Sequence, residues 1–238
     1  DGTSLQLVYA NGNPTGLYTR GNGITGGDIS FLMPFLDIPR NIQYKGDLFL
    51  RCEGVLTRDK FNRKWRRKDG VKDPRTFASA RAAANGQFNR TVADCIPELL
   101  HDVDIVVVGV YNRRCGEMLK FAKAQGFKAA PELQFNEVTH EALAAMLKWA
   151  RKAIPCDIDG LVGAVRTAVF QYEDDAFPAW AHAFKENLEG VETTVTGVRW
   201  QISRYGRWTP VITVEPVDFD GVTVTNPTAH LSLIHISD

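Results

Sequence analysis

The sequence predicts an α+β fold with antiparallel sheets, closed at its C-terminal end by an all-β appendage. Three observations carry that expectation. Strand-like and helix-like segments are mixed without a regular strand-helix-strand alternation; the dipeptide Asn11-Gly12, typical of tight hairpins, sits inside the first alternating run; and from Val191 onward short strands are separated by Gly and Pro. With 238 residues, 44% of them hydrophobic and 24% charged, the chain can bury a sizeable core without disulfide or metal staples.

Each element follows from its own pattern. Alternation on both sides of Asn11-Gly12 predicts two antiparallel strands, and apolar residues recur at strand spacing between Asn41 and Leu56. Arg58 to Arg75 is dense in Arg and Lys and is expected to be the end of a helix followed by a solvated loop. Alanine-rich Ala78 to Phe88 predicts a short helix, and the Val-rich run Asp104 to Tyr111 a buried strand. Met118 to Gln125 and Thr139 to Ala153 carry apolar residues at three- and four-residue spacing, as amphipathic helices do. Thr139 is expected to cap its helix alone, because Ala142 stands where a capping box needs an acid or amide. Strands at Thr193 to Ile202, Pro210 to Val214 and Gly221 to Thr225 follow a boundary near Glu189-Gly190, dividing the chain into domains 1–189 and 190–238. The second is short for a complete small barrel and reads as truncated; Asp1, without a preceding methionine, reads as the middle of a motif.

Charge and cysteine usage limit the function classes. Twenty-eight Lys and Arg balance 28 Asp and Glu, so a polyanionic partner must be met by a local basic face. Cys52, Cys95, Cys115 and Cys156 form no CxxC pair and read as free thiols in a reducing cytoplasm. The most apolar stretch, Ile105 to Tyr111, is too short to cross a bilayer, and no charged-then-apolar leader opens the chain. His101, His140, His182, His230 and His235 lack ligand spacing, so no metal ligands are expected. Neither GxxxxGK[ST] nor GxGxxG occurs, so any nucleotide chemistry must use another scheme.

Four segments present residue types suited to such chemistry. Thr19 to Asp28 packs glycines around Arg20, whose guanidinium can fork onto phosphate oxygens, although a Gly-rich hairpin with a solvated arginine is the plainer alternative. Glu53 ends a strand pattern, where a carboxylate can accept from ribose hydroxyls or simply pair with Arg51. Asp157 and Asp159 are two apart, on the same side of an extended segment, and could orient a lysine, bind a metal or start a turn. Lys185 would share a small-residue face with Ala181 and Ala183, suiting an anion pocket or a snorkelling surface lysine equally.

In order, these segments resemble the adenylation domain of NAD-dependent bacterial DNA ligases, followed by the start of their oligonucleotide-binding fold. TRGNGITGGDIS resembles the family's TRGDGxxGEDVT, RCEGVLTRDKF its RGEVFxxxxxF, FASARAAANGQ its FANPRNAAAGS and CDIDGLVGAV its FDIDGVVIKV. AWAHAFK is similar to RWAxAFK, QISRYGRWTPVITVEPV to QVGRTGxxTPVAxLEPV, and TNPTAH to SNATLH. The matches are collinear over nearly the whole chain. The resemblance implies a nucleotidyltransferase (ATP-grasp-like) domain with antiparallel sheets, then a truncated all-β OB-fold.

It also implies a chemistry. The family's nucleophile is the lysine of a KxDG motif; Asp1-Gly2 match its DG, which puts that lysine two positions before residue 1. By resemblance, Asp1 and Lys185 are catalytic, while Arg20, Glu53, Asp159 and Lys185 bind the nucleotide. Arg81 and Arg204 face DNA. The basic residues Arg63, Lys64, Arg66, Arg67 and Lys68 either add phosphate contacts or form a solvated face. NAD and magnesium are implied, with nicked double-stranded DNA as partner, no membrane, a monomer in the cytoplasm, and work in replication or repair. Ala164 stands where the family has a phosphate-contacting lysine, and Arg166, two residues on, is expected to share its strand face and substitute for it. Asn22 and Gly27 lose the family's charges, and Ala80 and Ala82 replace Pro and Asn. The last eight residues do not resemble the family's continuation. Two rival readings accompany this one: a ligase-like protein that binds nicked DNA without catalysis, favoured by Ala164, and an RNA-directed nucleotidyltransferase.

Overall fold

A computed structural model describes the chain apart from residues 1, 22–24, 69–72, 92, 172–177, 186–189, 203–205, 207, 220–221 and 228–238. It separates into two compact units, residues 1–186 and 187–238.

The first unit opens with β1 (Thr3–Ala10) and β2 (Asn13–Thr19), an antiparallel hairpin. Asn11 and Gly12 turn it at φ of 51° and 79°, the left-handed pair that a two-residue hairpin loop requires. A 3-10 turn over Ser30–Phe35 leads to β3 (Leu48–Val55), then α1 (Arg58–Lys60), which continues as a single π-helical turn over Phe61–Trp65. After α2 (Ala80–Phe88) and α3 (Pro97–Asp102) come β4 (Asp104–Val110), β5 (Arg113–Arg114), α4 (Cys115–Ala124), β6 (Lys128–Ala129) and α5 (His140–Ala153). Three short strands close the unit: β7 (Leu161–Ala164), β8 (Val169–Phe170) and β9 (Ala181–Phe184).

The main sheet has five strands in the order β2-β1-β3-β4-β6. Its pairings are antiparallel except β4 with β6, which run parallel. An entirely antiparallel arrangement was expected, and the exception has a simple cause: α4 carries the chain back between β4 and β6, and such a crossover returns a strand in the same direction. Alternation gives the sheet two different faces. Leu5, Leu7 and Tyr9 of β1 lie with Leu50 and Cys52 of β3 in the buried core, whereas Ser4, Gln6 and Val8 of β1 are only half-buried. Phe88 of α2 closes on the sheet where β3 has Gly54; a Cβ there would lie 2.6 Å from the Phe88 ring.

The basic stretch after β3 begins, as expected, as a helical end, α1 with its π-helical turn, and its described residues from Arg66 to Lys68 and Asp73 to Arg75 are exposed and outside any helix. Its π-helical turn buries Phe61 and Trp65, and its cations reach acids. Lys64 Nζ lies 2.9 Å from Asp102, and the Trp65 indole N–H donates to the same carboxylate at 3.0 Å. Lys60 meets Asp104 at 3.3 Å, and Lys128 bridges Asp104 and Asp37 at 2.9 Å each. Burial pushes the Asp102 carboxyl up, but the bonds from Lys64 and Trp65, with the charges of Lys64 and Lys60, outweigh it and hold the group below its ordinary value.

Thr139 caps α5 as expected, its hydroxyl accepting from the Ala142 N–H at 3.2 Å. At the other end the Arg58 guanidinium donates to the carbonyls of Ile154 and, at 2.7 Å, Cys156.

In the second unit β10 (Val195–Ile202) and β11 (Trp208–Val214) pair antiparallel, with a bulge between Val195 and Gly197. The strands β12 (Val217–Phe219) and β13 (Val222–Val224) form a further hairpin. The following residues return to β11, with Val214 N–H donating to Thr225 and Ile212 N–H to Pro227. Val198, Trp200 and Ile202 occupy alternate positions of β10 and are exposed, as is Trp208, opposite Ile202. Among the described residues no helix is long and apolar enough to cross a membrane.

Candidate functional site

The half-buried face of the main sheet carries the first group of expected site residues. Glu53 stands directly opposite Ser4 across the β1–β3 pair, so their side chains share a face. Arg20, just beyond β2, donates its backbone N–H to the Ser4 carbonyl at 3.3 Å, placing Arg20, Ser4 and Glu53 at one level across three neighbouring segments of the sheet. The Gly2 N–H donates to Glu53 Oε1 at 3.1 Å. Gly2 itself is dictated by packing: a Cβ there would lie 2.2 Å from the Gly54 carbonyl oxygen. On the reverse face of β3, burial first and the Glu53 charge second push the Cys52 thiol far above its ordinary value.

A second group gathers where β7 begins and β9 ends. Leu161 pairs with Phe184, so Asp159 and Lys185 flank the same end of this two-stranded pair. Close approach is possible because residue 160 is glycine; a Cβ there would sit 2.4 Å from the Phe184 carbonyl oxygen. His140, first residue of α5, packs edge-on against the Phe184 ring at 5.2 Å and steadies this end. Asp159 Oδ2 lies 4.0 Å from Lys185 Nζ and 4.0 Å from the Arg81 guanidinium. All three side chains are half or more exposed, so an anionic ligand can reach both cations.

Helix α2 packs on the buried face of the main sheet and reaches the second group through Arg81. Ser79 caps it by accepting from the Ala82 N–H at 3.1 Å, and Arg81, Asn85 and Asn89 recur at four-residue spacing along one face. Arg81 reaches Asp159; Asn85 accepts from the Thr3 hydroxyl at the start of β1; Asn89 lines a shallow cleft with Thr19, Gly27, Asp28, Phe31 and Arg90, beside Arg20. A second recess, of about 420 Å³, lies against the outer sheet face and is lined by Gln6, Phe49, Tyr111, Asn112 and Gln171.

Several expectations need restating. Asp157 pairs with Arg58 at 3.4 Å while Asp159 pairs with Arg81 and Lys185, so the two carboxylates do not act on one partner. Arg166 does not share the face of Ala164, because β7 ends at Ala164 and the chain turns at once, with Ala168 N–H donating to the Val165 carbonyl. The Arg166 carbonyl instead accepts from the Gly116 N–H at the start of α4. Ala164 is exposed and pairs with Ala181. Asp1, Asn22, Arg204, His230 and His235 lie outside the described residues, as do the Glu189 side of the expected domain boundary and the last eight residues. Among the described residues no three His, Cys, Asp or Glu side chains gather as a metal cage. Sequence reasoning missed Thr3, Asn85 and the Arg81–Asp159 pair; the spacing of Arg81 and Asn85 was the available signal.

Comparison with known proteins bears on the whole arrangement. The family model for the NAD-dependent DNA ligase adenylation domain matches residues 1–188. A DNA ligase of Campylobacter jejuni (strain RM1221) is 31% identical over 241 residues, covering 97% of this chain and 37% of that protein. A DNA ligase of Coxiella burnetii (strain RSA 331 / Henzerling II) is 28% identical over 250 residues, covering 97% of this chain and 36% of that protein. The chain thus spans little more than a third of the length of these relatives.

Proposed function

The chain belongs to the NAD-dependent DNA ligase family through its adenylation domain, and on that premise we propose that it is the nucleotide-transferring part of an enzyme that seals nicks in duplex DNA. The nucleophile would be the family's KxDG lysine, expected two positions before residue 1. Its neutral amine attacks the α-phosphorus of NAD; a P–N bond forms, the P–O bond to nicotinamide mononucleotide breaks, and that leaving group departs with the electron pair. The lysine must first lose its proton, which neighbouring cations favour. The adenylate then passes to the 5′ phosphate of the nick, and the 3′ hydroxyl displaces AMP.

What supports the reading most is one observation: Lys185 and Asp159, matched to separate family motifs, stand 4.0 Å apart, joined by Arg81. Lys185 and Arg20 would stabilise charge on the transferring phosphoryl group, and Glu53 would accept from the ribose hydroxyls. The recess beside Phe49 and Tyr111, with amides from Gln6, Asn112 and Gln171, suits a planar base. Arg81 and Arg204 would meet DNA phosphates. The described residues offer no cage for magnesium, so the ion would be held by substrate phosphates and water, where it would neutralise charge at the pyrophosphate. Residues 1–189 would form the ATP-grasp-like adenylation domain and 190–238 the start of an OB-fold, in a monomeric cytoplasmic protein.

The test uses the full-length protein and NAD labelled in its adenylate. The expected result is label retained on the protein with release of nicotinamide mononucleotide, abolished when the upstream lysine is replaced. Label retained by that variant overturns the mechanism; nick binding without any label favours the non-catalytic reading that Ala164 suggests.

A further inference from the structure

We propose that the hydrogen bond from Thr3 to Asn85 is a positioning device that holds the nucleophile-bearing end of β1 in register with the Arg81–Asp159–Lys185 cluster. Thr3 points to the buried face of the sheet, in the same row as Leu5, Leu7 and Tyr9. A hydroxyl in such a row is costly unless it is partnered, and its partner is the side-chain carbonyl of Asn85. Asn85 is in turn an odd choice for its place: it interrupts an alanine-rich helix, where alanine would favour the helical backbone more. Both residues are explained by each other.

The consequence lies in what flanks them. Gly2 is fixed from the β3 side by Glu53, and Thr3 is fixed from the helix side by Asn85. One turn earlier on the same helix face, Arg81 reaches Asp159, which Lys185 also approaches. One helix therefore carries both the anchor of the strand leading from the nucleophile and Arg81, a cation of the cluster that would receive the phosphate. Loss of the bond would leave nucleotide binding intact and misplace the attacking group, and small misplacements of this kind cost rate rather than affinity.

The inference rests on the proposed adenylation reading, and the experiment separates the two. In the full-length protein, Thr3→Val and Asn85→Ala each remove the bond, whereas Thr3→Ser and Asn85→Asp keep a donor or an acceptor. The first pair should slow single-turnover formation of lysyl-adenylate about tenfold, with half-saturation by NAD unchanged within about twofold. The double variant Thr3→Val/Asn85→Ala should be no slower than either single one. Thr3→Ser and Asn85→Asp should stay within about threefold of the parent. Normal rates in the first pair overturn the inference, as does a parallel loss of NAD affinity or equal slowing in the bond-keeping variants. A parent protein that takes no label overturns the adenylation reading itself.

Discussion

The Asp159 carboxylate stands 4.0 Å from the Lys185 ammonium and equally far from the Arg81 guanidinium, one acid shared between two cations from distant parts of the chain. At that separation, and with all three groups solvated, the contacts are too loose to matter much to folding. They hold two positive charges beside one carboxylate at an open surface.

Asp159→Asn should accordingly change stability by less than about 1 kcal/mol, read by thermal denaturation. Formation of the protein adenylate by the full-length protein should fall about tenfold or more. A large fall in melting temperature with normal adenylate formation would assign Asp159 to the scaffold instead.

Gly2→Ala is expected to destabilise the first unit by about 1–3 kcal/mol, because the new methyl meets backbone rather than a movable side chain. Chemical denaturation with an unchanged midpoint would show that β1 does not start against Gly54.

Asp102 gives the fold an acid-sensitive joint. Its folded-state carboxyl is held below its ordinary value, so its contribution is complete above the unfolded value of about 4 and is lost as pH falls through the lower, folded one. Asp102→Asn should cost about 1–3 kcal/mol at neutral pH and flatten the loss of stability on acidification below about pH 4. Melting curves collected from pH 7 to pH 3 measure both effects.

Cys52 should resist alkylation in the native protein at pH 8, since burial, reinforced by the Glu53 charge, keeps its thiol protonated and covered. Mass spectrometry of iodoacetamide adducts should find Cys52 unmodified until denaturant is added. Modification at the rate of an open thiol would contradict the packing of β3.

Long periodic segments were legible in advance. The hairpin at Asn11-Gly12, the Val-rich β4 and the helix capped by Thr139 all follow from local pattern, and they form as expected. Short elements were not. The 3-10 turn at Ser30–Phe35, the two-residue β6 and β12 hold too few residues to display a period, although Pro97 at the first turn of α3 was a usable start signal. Arg166 shows how turn chemistry overrides alternation once a strand stops. At the site, residue types such as Glu53 and Lys185 could be read from motifs, but the partnership of Arg81 with Asp159 joins remote segments and only the folded chain displays it.

Helix α2 presents Arg81, Asn85 and Asn89 to three separate places at once. Substitutions along that ridge will therefore show epistasis: a change tolerated at one rung alters what is tolerated at the next. Mutational libraries that vary neighbouring rungs together as well as singly will read that coupling directly.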